Sequence, residues 1–396
     1  MPIQVKVYRQ RLGQETTSFR QIIVPIRFGR AVNGAPVRDA PDPDDRGFAL
    51  GSEGIWRLTN VRGPVVGVPV GETIRLKVLR EDIDATAPIF VTSSQERVVV
   101  TPITALGADG IFQVRVTGPV LVGAKIEARL GATDGPILGE MIVHVMGWTN
   151  VPVCCHLVKL NGTVMNDGGN PVPAKTGRTQ SAVRTLFDNV NAIWLPMGIR
   201  FNIVEWKDTE CRLSTTHGNI TGAYQGLIGI DNSDQWWIQA NELMHVNRRP
   251  HAINVYFVRG TYDADNGTFN TTRGIGTSVT AATDYGVVVA DPGDGNDLAH
   301  ELGHVLNLDF HGGGNIGHAD DTSTSEHSRD NIWIRRRLMY SYNPYGSTGD
   351  GTPARRVNVG YGNYVRGSLI TQKHLAGDPT DGEYAEARTH ATSALP

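Results

Sequence analysis

The chain has 396 residues and a mass of 43.0 kDa, 40% hydrophobic and 19% charged, a globular composition longer than one ordinary domain. Its 37 basic and 40 acidic residues leave a net charge of −3, which argues against nucleic-acid binding driven by phosphate neutralisation. No apolar run reaches the roughly 18 residues of a membrane-spanning helix, and three cysteines (Cys154, Cys155 and Cys211) are too few for a disulfide scaffold.

The first residues, MPIQVKVYRQRLGQ, alternate polar and apolar side chains and read as a strand. They lack the continuous apolar core of a Sec-type signal, so an extracellular role predicts secretion or delivery by a non-Sec route. Short β-branched runs follow at Gln21 to Phe28, Thr73 to Leu79, Arg97 to Val100, Phe112 to Val116, Lys125 to Leu130 and Glu140 to Val145. Gly, Pro and Asp clusters separate them, and residues 38–51 form a polar loop. Residues 1–147 therefore read as an all-β, sandwich-like domain of unknown role.

A boundary near Gly147 to Pro152 opens a second domain, residues 148–396, in which strands and helices alternate. Cys154 to Leu160 is a strand. Val183, Leu186, Phe187, Val190, Ile193 and Trp194 fall on one face of an amphipathic helix, which Pro196 and Gly198 end. A strand over Ile199 to Trp206 follows, then a helix opening at Ser233, a strand over Ala252 to Val258 and another over residues 284–290. The chain is thus multidomain: an all-β part followed by an α/β part.

The richest stretch is Asp297 to His311, DLAHELGHVLNLDFH. His300 and His304 stand four apart, one turn apart on the same face of a helix, where two imidazoles reach a single Zn2+. Glu301 lies beside the first of them, placed to reach a water without being a ligand. Leu298, Leu302, Val305 and Leu306 form the apolar face, and Asn296 or Asp297 is the expected N-cap. With 12 histidines in 396 residues, only about 0.013 such motifs are expected by chance, which favours a site over coincidence.

This stretch resembles the metzincin clan of zinc-dependent endopeptidases, whose consensus HExxHxxGxxH precedes a methionine-containing turn. The first eight positions here run HELGHVLN, with Asn307 in place of the glycine at the sharp turn. The resemblance extends over roughly residues 150–375. The helix and strand through NAIWLPMGIRFNIVEW look like the first helix and second strand of the family's catalytic domain. GIGTSVTAATDYGVVVAD looks like its edge strand and the strand leading to the active-site helix. SLITQKHL (Ser368 to Leu375) looks like its C-terminal helix.

The resemblance implies a twisted mixed sheet, an active-site helix and one catalytic Zn2+ held by His300, His304 and a third ligand. It makes Glu301 the general base in hydrolysis of the peptide bonds of a protein or peptide substrate. The family's third ligand falls at Phe310, which cannot bind metal. His311, reached through a loop one residue longer, is the favoured substitute, with Asp309 the alternative and His318 a more distant one. Met339, in RLMYSYNP, matches the methionine turn. Tyr340 or Tyr342 would then stand near the metal and donate to a developing oxyanion; packing with a free hydroxyl is the competing role.

Two other functions share these residues. One is a catalytically inactive metzincin-like binding or interaction protein, which the displaced third ligand favours. The other is a zinc amide hydrolase acting on a non-protein substrate. Asp291, Asp294 and Asp297 make an oxygen-rich run that Ca2+ could use, although its spacing matches no known loop. Cys154 and Cys155 read as buried apolar cysteines rather than a latency thiolate.

Overall fold

The computed structural model describes residues 26–30, 48–49, 65–80, 86–103, 109–120, 124–165, 170–195, 198–212, 228–230, 236–263, 268–270, 274–277, 286–306, 347–348, 352–353, 387–388 and 390–392. Among these residues the protein is mostly strand, arranged in several sheets, with three helices of at least ten residues. None of the described helices is long and apolar enough to cross a membrane. The chain divides into two compact units, with the main division at Val145/Met146. The short pieces 43–49 and 67–70 belong to the second unit.

Strands β1 (Ile26–Arg30), β2 (Phe48–Ala49), β3 (Val65–Pro69), β4 (Thr73–Arg80), β5 (Ile89–Ser93), β6 (Val98–Pro102), β7 (Asp109–Val116), β8 (Ala124–Leu130) and β9 (Ile137–Met146) come first. In the first unit β1, β4, β7 and β6 pair antiparallel in that order, and β5, β8 and β9 pair antiparallel in another sheet. Alternation decides which face is covered. Ile74, Leu76 and Val78 are buried on β4, and Ala124, Ile126 and Ala128 on β8.

The second unit holds β10 (Thr149–Met165), β11 (Pro171–Lys175), helix α1 (Gln180–Trp194), β12 (Ile199–Cys211), β13 (Ile228–Ile230), helix α2 (Trp236–His245), β14 (Ile253–Val258), β15 (Thr261–Asp263), β16 (Thr268–Asn270), β17 (Gly274–Thr277), β18 (Gly286–Ala290) and helix α3 (Gly295–Val305). Strand β10 takes β12 and β14 as parallel partners, and β18 continues the sheet parallel to β14. Two antiparallel strands complete it: β11 on the far end of β10, and β17 on β18. The sheet is therefore mixed, with β17 at one end of its strand order.

Every residue of β14 and β18 is buried, as strands covered on both faces must be. Successive side chains serve opposite layers. Val255, Phe257, Val287 and Val289 pack with Val183, Phe187, Val190 and Ile193 of α1 and with Leu298 and Leu302 of α3. Tyr256, Val258, Val288 and Ala290 pack with Ala240, Leu243 and Met244 of α2. One cluster thus holds α1 and α3 together with half of the central side chains, and this fixes the helix that bears the histidines. Thr179 caps α1 by accepting from the Ala182 N–H at 3.2 Å. Asn191 ties that helix to β12 through both backbone groups of Phe201, at 2.8 and 3.1 Å.

A second fixed point is a buried histidine. His156 is fully buried on β10 and stacks on the Tyr256 ring at 4.1 Å. Its Nε2 meets Asn254 Oδ1 at 3.0 Å and its Nδ1 meets Thr209 Oγ1 at 2.8 Å. Asn254 Nδ2 is spent on the Arg249 and Ala252 carbonyls, so its oxygen must accept. His156 is therefore the neutral Nε2–H tautomer, with the Thr209 hydroxyl donating to Nδ1. Burial pulls its pKa down to about 4, partly opposed by the hydrogen bond to Asn254. All three cysteines are free and buried, and burial pushes the Cys154 thiol up to about 11, which makes it inert.

Candidate functional site

Helix α3 begins two to three residues earlier than its sequence suggests. Asp294, rather than Asn296 or Asp297, caps it: its Oδ1 accepts from the Asp297 N–H at 3.1 Å, and its own N–H donates to Asp297 Oδ2 at 2.7 Å. This reciprocal pair is a capping box with aspartate at both positions. The expected apolar face is present, with Leu298, Leu302, Val305 and Leu306 all within 1% of full burial.

The loop ahead of the helix is held from outside. Arg178 Nη2 donates to the carbonyls of Ala290 at 3.1 Å, Asp291 at 2.7 Å and Gly293. The Asp291 carboxylate accepts from the Thr176 hydroxyl at 2.5 Å, the Gly177 N–H at 2.8 Å and Arg259 at 3.2 Å. The segment preceding α1 is thereby strapped to the segment preceding α3. Burial works against the charge of Arg178, while Asp291, Asp297 and Asp294 work for it. Asp291, Asp294 and Asp297 thus all have oxygens turned to protein donors.

One turn into α3, His300 and His304 face each other. Their Nε2 atoms stand 3.1 Å apart and their rings meet edge to face at 81°. Two N–H groups cannot point at one another at this distance, so the pair shares either one proton or one cation. An ion bonded to both nitrogens at about 2.0–2.1 Å would subtend roughly 100°, close to tetrahedral, and the pair therefore fits zinc. Among the described residues no group of three metal-ligating side chains forms. His311, Asp309 and His318 lie outside the described residues, as do Met339, Tyr340 and Tyr342.

Glu301 points away from solvent, with 9% of its surface exposed. Burial pushes its carboxyl up to about 8. The Asp297 charge adds to the rise, and a hydrogen bond from the Gly276 N–H opposes it. That N–H belongs to β17, which lies directly on this turn of α3: a Cβ on Gly274 or Gly276 would overlap Glu301 atoms. The structure thus brings His300 and His304 together, and sets Glu301, on the same turn of α3 as His300, against β17. The glycines of β17 carried no sign of this role beyond their place in the edge strand, and neither did Arg178, whose partners lie over a hundred residues on.

No protein-family model matches the chain, and no curated protein matches it. Among solved structures, domains 1–6 of the surface layer protein SbsC show a TM-score of 0.18 at 18% identity, over 27% of this chain and 16% of that one. The ZirS C-terminal domain shows 0.18 at 10% identity, over 37% and 82%. A sialyltransferase from Photobacterium damsela shows 0.18 at 8% identity, over 84% and 60%. The chain spans less than two thirds of the first and third of these. At such TM-scores none of the likenesses extends to an overall fold.

Proposed function

We propose that the second unit is a zinc-dependent endopeptidase whose general base is Glu301. The observation that carries this reading is the convergence of the His300 and His304 Nε2 atoms at 3.1 Å, with a buried carboxyl on the residue between them. His300 and His304 would hold the ion together with His311, or with Asp309 as the alternative. When bound, zinc supplies Lewis acidity, which lowers the pKa of water and polarises a carbonyl. The order of edge strand, adjoining strand and helix, seen in β17, β18 and α3, supports a metzincin-like arrangement.

The rest of the chemistry belongs to the chain. Burial makes Glu301 more basic than an ordinary carboxylate, and a neighbouring cation favours its ionised form, so it is suited to take the proton of the attacking water. The water oxygen bonds to the peptide carbon, the C–N bond breaks, and Glu301 passes the proton to the departing amine nitrogen. Strand β17 has β18 on one side, and among the described residues no strand pairs its other edge. An extended peptide would add there by backbone hydrogen bonds. Tyr340 or Tyr342 is the proposed donor to the developing oxyanion, and Met339 the apolar floor of the site.

The test is bound zinc by elemental analysis with casein cleavage on the same samples. Glu301→Gln is expected to keep its zinc and lose activity by at least about 100-fold. His300→Ala is expected to lose both. Wild-type protein without zinc after supplementation would sink the enzyme reading. Zinc with no cleavage of proteins would favour the binding protein or the non-protein amide hydrolase.

A further inference from the structure

Strand β17 meets the active helix through two residues that have no side chain. A Cβ on Gly274 would stand 2.6 Å from Glu301 Cγ and 2.9 Å from Glu301 Oε1. A Cβ on Gly276 would stand 2.3 Å from the Glu301 carbonyl oxygen and 3.1 Å from its Cα. Carbon atoms in contact sit about 3.5–4.0 Å apart, so both positions exclude even alanine without movement. Neither glycine has a positive φ, so the demand is for space and not for backbone freedom.

The two positions share one face of the strand but collide with different things. At Gly276 the obstacle is helix backbone, which can give way only if the strand or the helix shifts. At Gly274 the obstacle is the Glu301 side chain, which can swing aside while the main chain stays where it is. Residue 274 therefore controls where one carboxyl sits, and residue 276 controls how closely strand and helix pack.

We propose that Gly274 is a positioning residue for Glu301: the absence of its side chain keeps open the space that the carboxyl occupies against β17, on the turn of α3 that carries His300. The inference rests on the endopeptidase reading for its catalytic consequence. Alanine at this position pushes the carboxyl off its place by about an ångström, and misplacement of that size costs about 100-fold in rate. The metal ligands are untouched, so zinc content should hold, and since the Glu301 side chain and not the β17 main chain gives way, kcat should fall far more than KM rises.

The experiment is a double-mutant cycle read by both thermal unfolding and kinetics. Gly274→Ala and Gly276→Ala are each made in the wild-type and in the Glu301→Ala background. Gly274→Ala is expected to bind zinc as the wild type does, with kcat lowered about 100-fold and KM changed much less than kcat. Its Tm falls by a few degrees with Glu301 present and is restored once Glu301 is truncated. Gly276→Ala lowers Tm in both backgrounds, because the carbonyl oxygen it strikes is still there. Full kcat in Gly274→Ala, or the same Tm loss in both backgrounds, overturns the inference. Wild-type protein that binds zinc but cleaves no protein removes the endopeptidase reading. The Tm cycle still decides separately whether Gly274 sets the place of Glu301.

Discussion

Asp294 and Asp297 cap α3 reciprocally, each accepting from the backbone N–H of the other at 3.1 and 2.7 Å. The cap lies less than two turns ahead of His300 and Glu301, so it sets the register in which those side chains leave the helix. Replacing Asp294 with alanine removes the acceptor for the Asp297 N–H, and loss of such a cap costs about 1 kcal/mol. Urea unfolding should show that loss for Asp294→Ala and much less for Asp294→Asn, whose amide oxygen still accepts. Equal loss in both variants would mean that the carboxylate acts by its charge and not as a cap.

Arg178 and Asp291 offer a second handle on the same helix. Their side chains are only 11% and 17% exposed, and Asp291 is the counter-charge nearest to Arg178. Asp291→Ala takes away the nearest of the three carboxylates that support the guanidinium, leaving the more distant Asp294 and Asp297, a loss of up to about 3 kcal/mol by the measure of other half-broken buried pairs. Arg178→Lys should also destabilise, because the shorter lysine side chain ends before the Nη2 position from which all three carbonyls are reached. A change under about 0.5 kcal/mol in either variant would show that the strap is ornamental. Since the strap holds the approach to α3, zinc affinity should weaken along with stability.

Features that depend on neighbours in the chain were legible from the sequence. The face of α1 from Val183 to Trp194 and the face of α3 from Leu298 to Leu306 are spelled out by spacing alone, and all but the half-buried Leu186 of their expected apolar residues are buried. The His300, Glu301 and His304 grouping needed only a helix. What could not be read arises from long-range register. Nothing near Gly274 announces that its strand will lie on Glu301, and nothing in CCHLVKL marks His156 as the partner of Thr209 and Asn254. The sequence places the cap two to three residues late because Asn296 and Asp297 are both good cap residues. Only the bond geometry shows that Asp297 fills the third helical position instead.

His156 gives the fold a pH dependence of known sign. Its pKa is about 4 when folded and 6.5 in an ordinary setting, so between these values the unfolded chain binds a proton that the folded chain refuses. Stability therefore rises with pH across this window, is complete above about 6.5, and is lost as the pH falls towards 4. The full amplitude is on the order of 3 kcal/mol. Unfolding midpoints at several pH values should show this slope in wild type and a flatter one in His156→Gln. An unchanged slope would place the titration elsewhere.

Zinc removal is the sharpest probe of the site. If the ion binds the folded chain alone, zinc at 100 times its Kd raises stability by about 2.7 kcal/mol, and a chelator reverses this. His300→Ala and His304→Ala should abolish the effect, because neither imidazole alone retains the 3.1 Å pairing. His311→Ala should weaken zinc by more than the roughly 10–100-fold that loss of an outer hydrogen bond costs, with Asp309→Ala close to wild type. The reverse pattern would make Asp309 the third ligand, and zinc retained in both variants would shift the search to His318. A Tm that ignores zinc and chelator alike in the wild type would leave the His300–His304 pair sharing a proton instead of a metal.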